Sequence, residues 1–445
     1  MIACVIMFEI LPGFRDFRPN KCAIRNYLFE HWRSVARHYG FEEFDGPILE
    51  PLELFTKKSG EEIAEQLFAF EDRGGRKIAL RPEMTPSLVR ILGEQIATIK
   101  RPTKWFNITE NFRYERPQKG RLRSFYQYNV DIVGETSCTA EAELIALAIR
   151  SFKTFGLSRE HFYIRLSDRQ LWMLWLQCFG VTDEDTKVKM LSLFDKWERR
   201  SHADIEVDLK KILPQQTDAI QFFQATEALR NARDLQHIKM IFDQYMPTSI
   251  AEVLEQRLED FKLLLEELSY LGCSDFISID LSVVRGLAYY TGFVFEVFEA
   301  GNQGRALAGG GRYDQLFEKL AGHPMPAVGF AAGDVTLTDL LEKNNLLPNL
   351  KQVADAYIVF ENTERSDALR CAEKLRHSGF SVKYSLGEIK SLSKQLKKAY
   401  SDDPRFVLVF THEEMQQNKI QIKRATDSTP ELVSLDHIVD YLKRN

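Results

Sequence analysis

The sequence has little of what marks metal sites, disulfide frameworks and membrane spans. Its six cysteines are scattered through 445 residues with no C-x-x-C pair, which argues against a zinc site or disulfides and for a reducing compartment. The apolar beginning MIACVIMFEI lacks a basic leader and carries Glu9, and no later run approaches the length of a membrane span. We expect a cytoplasmic protein with no membrane partner and no dedicated metal site, whose natural start is Met1 or Met7.

Strong charge of one sign is also missing. A net charge of −5 gives no overall attraction to nucleic acid, so any polyanion would have to be held by local basic patches. Two common nucleotide-binding loops are absent as well. The glycines at 309–311 are not followed by the G-K-[ST] of a Walker loop, and no strand leads into a G-x-G-x-x-G spacing.

The pattern of apolar residues predicts a mixed chain with a helical middle. A helix is expected over 15–39, and two strand-like runs, 105–115 and 124–133, should form an antiparallel hairpin. Helical periodicity over 181–272 predicts a helical insertion within a strand-rich domain spanning 1–342. After a linker at 343–353, strands alternate with helices over 354–445, which predicts an α/β domain with a largely parallel sheet.

The hairpin turn concentrates cations and aromatic rings. Its cations are Arg113, Arg116, Lys119, Arg121 and Arg123, and its rings are Phe112, Tyr114, Phe125 and Tyr126. Guanidinium forks bind phosphate oxygens bidentately, so the hairpin predicts a site for a nucleoside triphosphate. A solvated basic turn is the alternative. It does not explain why Arg113 lies in an apolar run, where an unpaired charge is costly.

Three other segments carry candidate ligand-binding groups. VVRGLAYYTGFVFE (283–296) offers tyrosines with apolar rings and polar tips, although on this segment alone a hairpin with core tyrosines is the simpler interpretation. LAGGGRYD (307–314) predicts a glycine-rich turn that brings backbone amides near a ligand. In LRPEMTPSLVR, Thr85 is expected to cap a helix, and Glu83 suits either the helix dipole or a bound ammonium group.

Polar residues alternate along the second strand of the hairpin. Gln127, Asn129 and Asp131 share one face because successive strand residues point to opposite sides. They are expected to form a polar pocket floor, with Tyr128, Val130 and Ile132 facing the core.

Together these segments resemble the histidyl-tRNA synthetase family. FRYERPQKGRLRSFYQ is similar to motif 2 of class II aminoacyl-tRNA synthetases, and RGLAYYTG and GGGRYD are similar to the two histidine signature segments. LPGFRD, LRPEMT and the C-terminal domain also fit, so the resemblance covers the chain from Leu11 onward. It implies an α+β fold: a class II antiparallel-sheet catalytic domain with a helical insertion, plus a C-terminal α/β anticodon-binding domain.

The resemblance also implies an activity and partners. Such enzymes activate L-histidine with ATP and Mg²⁺ to histidyl-adenylate, release pyrophosphate, and transfer the histidyl group to the 3′ end of histidine tRNA. The helix and strand ending at Pro47 resemble motif 1, which implies a homodimer. On the C-terminal domain, Lys390, Lys394, Lys397 and Lys398 are either a tRNA phosphate patch or a solvated helix face.

The resemblance assigns roles residue by residue. Arg113 and Arg285 would be the catalytic pair at the α-phosphate. ATP would be bound by Arg113, Glu115, Arg121, Arg123 and Phe125. Histidine would be bound by Glu83, Thr85, Gln127, Asp131, Arg285, Tyr289, Tyr290 and Tyr313, with Asp131 and Tyr290 on the imidazole nitrogens. Gln118, in the hairpin turn, would be a contact for the tRNA acceptor end.

Two positions depart from the family pattern. Thr336 stands where motif 3 normally has an arginine over the adenine, and Ala288 replaces an acidic residue. The first departure predicts weaker ATP binding unless the other arginines carry more of the triphosphate charge. One alternative is a catalytically silent synthetase-like regulatory subunit of histidine biosynthesis, but such paralogues lack the anticodon-binding domain. Another is a class II synthetase for a different amino acid, which RGLAYYTG and Asp131 oppose.

Overall fold

The chain divides into two compact units. The computed structural model describes residues 8–57, 66–118, 120–215, 217–284, 289–301, 306–351, 353–387, 391–424 and 429–445. The units are Met1–Pro348 and Asn349–Asn445, and their boundary lies inside the linker expected at 343–353. Within the described residues, no helix is both long and apolar enough to cross a membrane.

A mixed sheet forms the centre of the first unit. Its strands and those of a smaller sheet are β1 (Glu42–Glu43), β2 (Leu49–Pro51), β3 (Ala69–Glu71), β4 (Lys77–Leu80), β5 (Thr103–Phe112), β6 (Ser124–Val133), β7 (Phe162–Asp168), β8 (Ile277–Ile279), β9 (Phe293–Glu299), β10 (Ala308–Arg312) and β11 (Ala327–Gly333). The large sheet runs β1-β5-β6-β11-β10-β9-β7-β8, and the small one β2-β4-β3. Pairing in the large sheet is antiparallel except at its edges, where β1 lies parallel to β5 and β8 to β7.

Helices cover this sheet and form the middle of the unit. They are α1 (Pro19–His38), α2 (Leu52–Thr56), α3 (Thr85–Gly93), α4 (Thr139–Lys153), α5 (Arg169–Cys178), α6 (Glu184–Lys196), α7 (His202–Ile212), α8 (Ala219–Arg230), α9 (Leu235–Asp243), α10 (Ala251–Tyr270), α11 (Leu316–Ala321) and α12 (Asp334–Lys343). Short 3-10 turns occur at Trp197–Arg199, Thr248–Ile250 and Ser274–Phe276. Helices α6 to α10 occupy the segment 181–272, hereafter the helical insertion.

The two faces of β6 differ in the way that its alternation predicts. Tyr128, Val130 and Ile132 are buried in the main core together with α1 and α4, and the Tyr128 ring stacks on Trp32 of α1 with centroids 5.2 Å apart. Gln127, Asn129 and Asp131 therefore point to the opposite face. This prediction is confirmed, and it leaves a polar surface on the side of the sheet that α1 does not cover.

One predicted helix start and one predicted helix cap are wrong. The first helix begins at Pro19 rather than Arg15 because proline occupies the first helical turn and the residue before it is extended, with φ −63° and ψ 161° at Arg18. Thr85 does not cap its helix. It is the first residue of α3, after Met84, and no side-chain cap hydrogen bond forms.

The predicted glycine-rich turn at 309–311 is also wrong, because these glycines form the middle of strand β10. A Cβ at Gly310 would overlap the carbonyl oxygen of Gly329 on β11, and one at Gly311 would lie 2.7 Å from the carbonyl oxygen of Phe293 on β9. Glycine is ordinarily depleted in strands. Here the close approach of both neighbouring strands excludes any side chain.

The second unit is a five-stranded sheet with helices. Its strands are β12 (Ala356–Phe360), β13 (Val382–Tyr384), β14 (Phe406–Phe410), β15 (Lys419–Arg424) and β16 (Glu431–Ser434), and its helices are α13 (Arg365–His377), α14 (Leu392–Asp402), α15 (His412–Met415) and α16 (Ile438–Arg444), with 3-10 turns at Asn362–Glu364 and Leu435–His437. The order is β13-β12-β14-β15-β16. The first three strands are parallel, as predicted, and the antiparallel β15 and β16 were not predicted. Lys394, Lys397 and Lys398 are exposed on α14, whereas Lys390 lies outside the described residues.

Candidate active site

A cavity of about 230 Å³ opens on the polar face of β6. Its walls are Gln66, Pro82, Glu83, Thr85, Arg113, Gln127, Asn129, Asp131, Tyr289, Tyr290, Gly309, Tyr313, Gly329, Phe330 and Ala331. They include every residue expected to bind histidine except Arg285, which lies outside the described residues, as does Ala288. Sequence segments that are far apart along the chain therefore meet in one cavity.

Two carboxylates in this cavity are each held by a tyrosine. The hydroxyl of Tyr313 donates to Oδ1 of Asp131 across 2.6 Å, and that of Tyr289 donates to Oε2 of Glu83 across 3.1 Å. All four side chains are buried. A cavity walled by two carboxylates suits a ligand that brings N–H donors or a positive charge.

Burial controls the ionisation of the Asp131–Tyr313 pair. Loss of water around Asp131 raises the pKa of its carboxyl to about 7, while the hydrogen bond from Tyr313 opposes this shift and the charge of Glu83 adds to it. Burial, together with the neighbouring Asp131 charge, raises the pKa of Tyr313 well above its ordinary value. The phenol therefore stays protonated and acts as the donor.

Amide side chains fix the floor of the cavity. Asn111 on β5 donates to Oε1 of Gln127 across 3.0 Å, and Asn129 donates to Oδ1 of Asn107 across 2.9 Å. These bonds run between the two hairpin strands. They hold Gln127 and Asn129 in one orientation before any ligand arrives.

Two residues that support the cavity, one in its wall and one behind it, were not assigned from the sequence. Gly329 on β11 lies opposite Asp131, and a Cβ there would overlap the Asp131 carboxylate. Arg312 lines neither described cavity; its guanidinium makes a buried fork with Glu141 of α4, at 2.6 Å and 2.5 Å. This ion pair fixes the end of β10, from which Tyr313 enters the site. In the sequence, the signals for these roles were only a glycine in the segment that became β11 and an arginine at the end of the segment that became β10.

A second cavity, of about 210 Å³, lies beside the first. Its walls are Arg113, Glu115, Gly120, Arg121, Leu122, Phe125, Gln127, Ala306, Leu307, Ala308, Gly309, Ala331, Gly333, Asp334, Val335 and Thr336. The two cavities share Arg113, Gln127, Gly309 and Ala331. Arg113 therefore stands where they meet.

The cationic and aromatic groups of the second cavity are already arranged. The Arg113 guanidinium lies over the Phe125 ring at 5.2 Å, and its Nε donates to the carbonyl oxygen of Pro82 across 3.0 Å. Arg121 forms an ion pair with Glu115 at 2.9 Å. Four of the five expected ATP-binding residues are thus together.

Arg123 is the fifth, and the structure places it elsewhere. Its guanidinium lies over the Tyr114 ring at 4.3 Å and donates to the Glu115 carbonyl oxygen at 3.1 Å. It lines neither of the two cavities. Gln118, expected at the tRNA acceptor end, is exposed in the hairpin turn, where its backbone pairs with Arg121.

The motif 3 position lies in the first turn of α12. Thr336 lines the second cavity. Asp334, two residues earlier, accepts from the backbone N–H of Tyr126 at 2.9 Å and forms an ion pair with Arg15 at 2.8 Å. This buried carboxylate ties the N-terminal LPGFRD segment to the hairpin and to α12, a role that the sequence did not reveal.

No group of three or more histidine, cysteine, aspartate or glutamate side chains that could hold a metal ion occurs in the part of the chain that the structure describes.

Comparisons with known proteins find matches to both units of the chain. The family model for histidyl-tRNA synthetase matches residues 13–337, and that for the anticodon binding domain matches residues 355–445. The histidine–tRNA ligase of Opitutus terrae is 44% identical over 95% of this chain and 95% of its own length. The chloroplastic/mitochondrial histidine–tRNA ligase of Arabidopsis thaliana is 37% identical over 92% of this chain and 82% of its own.

A solved structure has the same fold. The histidyl-tRNA synthetase from Nostoc sp. superposes with a TM-score of 0.78 over 99% of both chains, at 23% identity. The class II synthetase fold, with an antiparallel-rich catalytic sheet and a C-terminal α/β domain, is therefore confirmed. With the family models and relatives matching across nearly its whole length, this chain belongs to the histidyl-tRNA synthetase family.

Proposed function

We propose that this chain is a histidine–tRNA ligase, an aminoacyl-tRNA synthetase of protein biosynthesis. It activates L-histidine with ATP to histidyl-adenylate, with release of pyrophosphate, and then transfers the histidyl group to the 3′ end of histidine tRNA. Relatives from bacteria, archaea and a plant carry the name histidine–tRNA ligase.

The observation that carries the proposal is that the two cavities share Arg113. An amino acid in the first cavity and a nucleotide in the second would meet at this guanidinium. A carboxylate oxygen of histidine forms the bond to the α-phosphorus, and the bond to the bridging oxygen breaks as pyrophosphate leaves. Holding both reactants in contact removes most of the entropic cost of a bimolecular step.

Arg113 would assist this step electrostatically. A guanidinium binds two oxygens of one phosphate in a fork, and charge accumulates on those oxygens as phosphorus becomes five-coordinate. A donor that is already oriented stabilises that charge without rearranging. The bond from Arg113 to Pro82 and the Phe125 ring beneath it supply this orientation. Arg285 is expected to act from the opposite side, and its role stays a prediction.

The first cavity would select histidine by its nitrogens. Asp131 accepts from one imidazole N–H and Tyr290 serves the other nitrogen, while Glu83, Thr85 and Gln127 hold the α-ammonium group. Tyr289 and Tyr313 keep the two carboxylates in place. An amino acid without ring nitrogens would bring no N–H to the buried Asp131, which would keep the Tyr313 hydrogen bond but lose its ligand partner. A polar site rejects such a ligand strongly.

The second cavity would hold ATP after a local exchange of partners. Arg121 leaves Glu115 and binds the outer phosphates, which frees the carboxylate to accept from the adenine amino group. The adenine stacks on the face of Phe125 that Arg113 does not cover. Arg123 would reach the triphosphate only by leaving Tyr114. We therefore propose that it binds the phosphates last, after Arg113 and Arg121.

Mg²⁺ would enter with the triphosphate. Both carboxylates of the second cavity have other partners. Asp334 pairs with Arg15, and Glu115, which pairs with Arg121 in the free protein, would turn to the adenine amino group. This fits a cation held mainly by phosphate oxygens rather than by a dedicated protein site. When bound, it supplies positive charge to those oxygens. Arg113 and Arg121 supply the charge that comes from the chain itself.

The remaining partners follow from the family. The second unit would bind the anticodon region of the tRNA, with Lys394, Lys397 and Lys398 as candidate phosphate contacts, and Gln118 would approach the acceptor end. A cytoplasmic homodimer assembled through the motif 1 region is the expected state. The match of residues 355–445 to the anticodon-binding domain favours the ligase over a silent regulatory subunit of histidine biosynthesis.

Histidine-dependent exchange of labelled pyrophosphate into ATP tests the proposal. The full-length chain should catalyse it with Mg²⁺ and without tRNA, and threonine, proline or glycine should not replace histidine. In Asp131→Ala the KM for histidine should rise by about two orders of magnitude while that for ATP stays within about threefold. Absence of exchange at saturating histidine would refute the function, and an equal rise in both KM values would refute the role of Asp131.

A further inference from the structure

The helical insertion is connected to both sides of the segment that carries Tyr289 and Tyr290. The connections are ion pairs, hydrogen bonds and a cation–π contact. We propose that it positions this wall of the histidine cavity, and so takes part in histidine activation as a positioning element. The inference rests on the proposed function for its kinetic test but concerns a part of the chain that lines neither described cavity.

On the N-terminal side, the ion pairs meet at Asp280. Arg165 of β7 donates to Oδ2 of Asp280 across 2.7 Å, and its guanidinium also binds Glu198 of the insertion at 3.0 Å. Arg233, from the insertion, lies 3.6 Å from the other oxygen of Asp280. The Arg165 guanidinium also donates to Ser282. The chain leading into Val283 and Val284 is therefore tied to the insertion through Asp280 and Ser282.

A neutral contact reinforces this side. The indole N–H of Trp172 on α5 donates to the carbonyl oxygen of Leu281 across 2.9 Å, in a buried setting. The same indole packs against Phe194 of α6, with ring centroids 4.6 Å apart. Leu281 is thus held by a side chain that itself rests on the insertion.

On the C-terminal side, the central group is Asp168. Its carboxylate is fully buried and forms a fork with Arg257 of α10, at 2.5 Å and 2.9 Å. It also caps α5, accepting from the Gln170 N–H at 3.0 Å. Breaking a buried pair of this kind leaves an uncompensated charge. Strand β7 and the start of α5 are therefore fixed to the insertion.

The start of α5 in turn holds the backbone next to Tyr290. The N–H of Arg169 donates to the carbonyl oxygen of Gly292 across 3.0 Å. The side-chain amide of Gln170 donates to the backbone carbonyl oxygen of Thr291 across 3.3 Å. The Arg257 guanidinium lies 4.0 Å over the ring of Phe293. From the insertion to Tyr290, each step is a direct contact.

Two variants remove one tie each. Glu198→Gln changes a side chain that is 58% exposed, so folding should survive, and Arg257→Lys keeps the charge but loses the fork. The control is Glu255→Gln, which breaks an ion pair with Lys239 (2.6 Å) within the insertion and touches neither side of the segment. All are made in the full-length chain.

Kinetics without tRNA separate positioning from other roles. In pyrophosphate exchange, Glu198→Gln and Arg257→Lys should each raise the KM for histidine at least about threefold, with the KM for ATP within about twofold, and Glu255→Gln should match the wild type. Unchanged histidine kinetics with a loss of tRNA charging alone would overturn the proposal. Equal rises in both KM values, with a lowered melting temperature, would overturn it too.

Hydrogen–deuterium exchange gives a reading that does not depend on activity. Amides of residues 289–299 should exchange faster in Glu198→Gln and Arg257→Lys than in the wild type or Glu255→Gln. Equal rates in all four proteins would overturn the proposal. If the wild type shows no histidine-dependent activity, the proposed function fails, and this measurement alone decides the positioning role.

Discussion

Tyr313 and Asp131 form a buried donor–acceptor pair, with the phenolic oxygen 2.6 Å from Oδ1 of the carboxylate. Burial raises the pKa of the Asp131 carboxyl to about 7, and Tyr313 limits that rise. In the proposed role Asp131 accepts from an imidazole N–H, and its ionised form is the stronger acceptor. We therefore expect histidine binding to be coupled to the loss of this proton near neutral pH.

Tyr313→Phe should move this coupling to higher pH. Without the phenol, the ionised form of Asp131 loses a stabilising donor, so the pKa of its carboxyl rises further. The rise of kcat/KM for histidine with pH should shift upward by about one pH unit relative to the wild type. Comparing the two profiles cancels the titration of free histidine. An unshifted profile would contradict the role given to Tyr313.

The same carboxyl should make stability depend on pH. The folded pKa of Asp131, about 7, lies above the ordinary value of 3.8, so the folded state binds more protons between these values and stability falls as pH rises through this window. Asp131→Asn removes the free-energy cost of ionising this buried carboxyl. Its free energy of unfolding relative to the wild type should grow by up to about 4 kcal/mol between pH 4 and 7. Urea denaturation across this range measures it, and a constant difference would count against the shift.

Gly329→Ala should displace the Asp131 carboxylate from its position in the cavity. The added methyl would overlap the carboxylate, which must then move away from Tyr313. We expect the KM for histidine to rise at least about tenfold, with little change for ATP. Gly333→Ala on the same strand is the control for the histidine KM alone, because Gly333 lines the second cavity and its Cβ would meet only Thr336 Oγ1, at 3.7 Å. Similar kinetics in both variants would show that the approach of Gly329 to Asp131 does not matter.

Thr336→Arg restores the cation that motif 3 normally supplies. The position lines the second cavity, so the new guanidinium should lower the KM for ATP by about three- to tenfold. Thr338→Arg, on the same helix but outside the cavity walls, controls for added charge. If Thr336→Arg binds ATP no more tightly than the control, Arg113 and Arg121 already supply enough charge.

How far the sequence predicted the site depends on the range of the interactions. The alternation of Gln127, Asn129 and Asp131 is local, because the pleat of one strand determines it, and it was predicted. The strand at Gly310 was not, because its cause is the approach of β11, which only the folded sheet brings close.

Ion pairs between distant segments escaped prediction for the same reason. Arg15 and Asp334 come from opposite ends of the first unit, and nothing near either residue indicates its partner. Arg312 and Glu141 meet only because β10 and α4 pack together. The family resemblance gave the cavity residues their candidate roles, and the structure added the residues that hold them in place.

The shared wall of the two cavities has a consequence for inhibition. A single molecule that joins a histidine-like group to a nucleoside would fill both cavities. It would lose translational and rotational entropy once, whereas two separate ligands would each lose it. Such a molecule should bind far more tightly than either half alone. Its preference for this protein over synthetases that have the usual motif 3 arginine would depend on how closely its nucleoside half contacts Thr336.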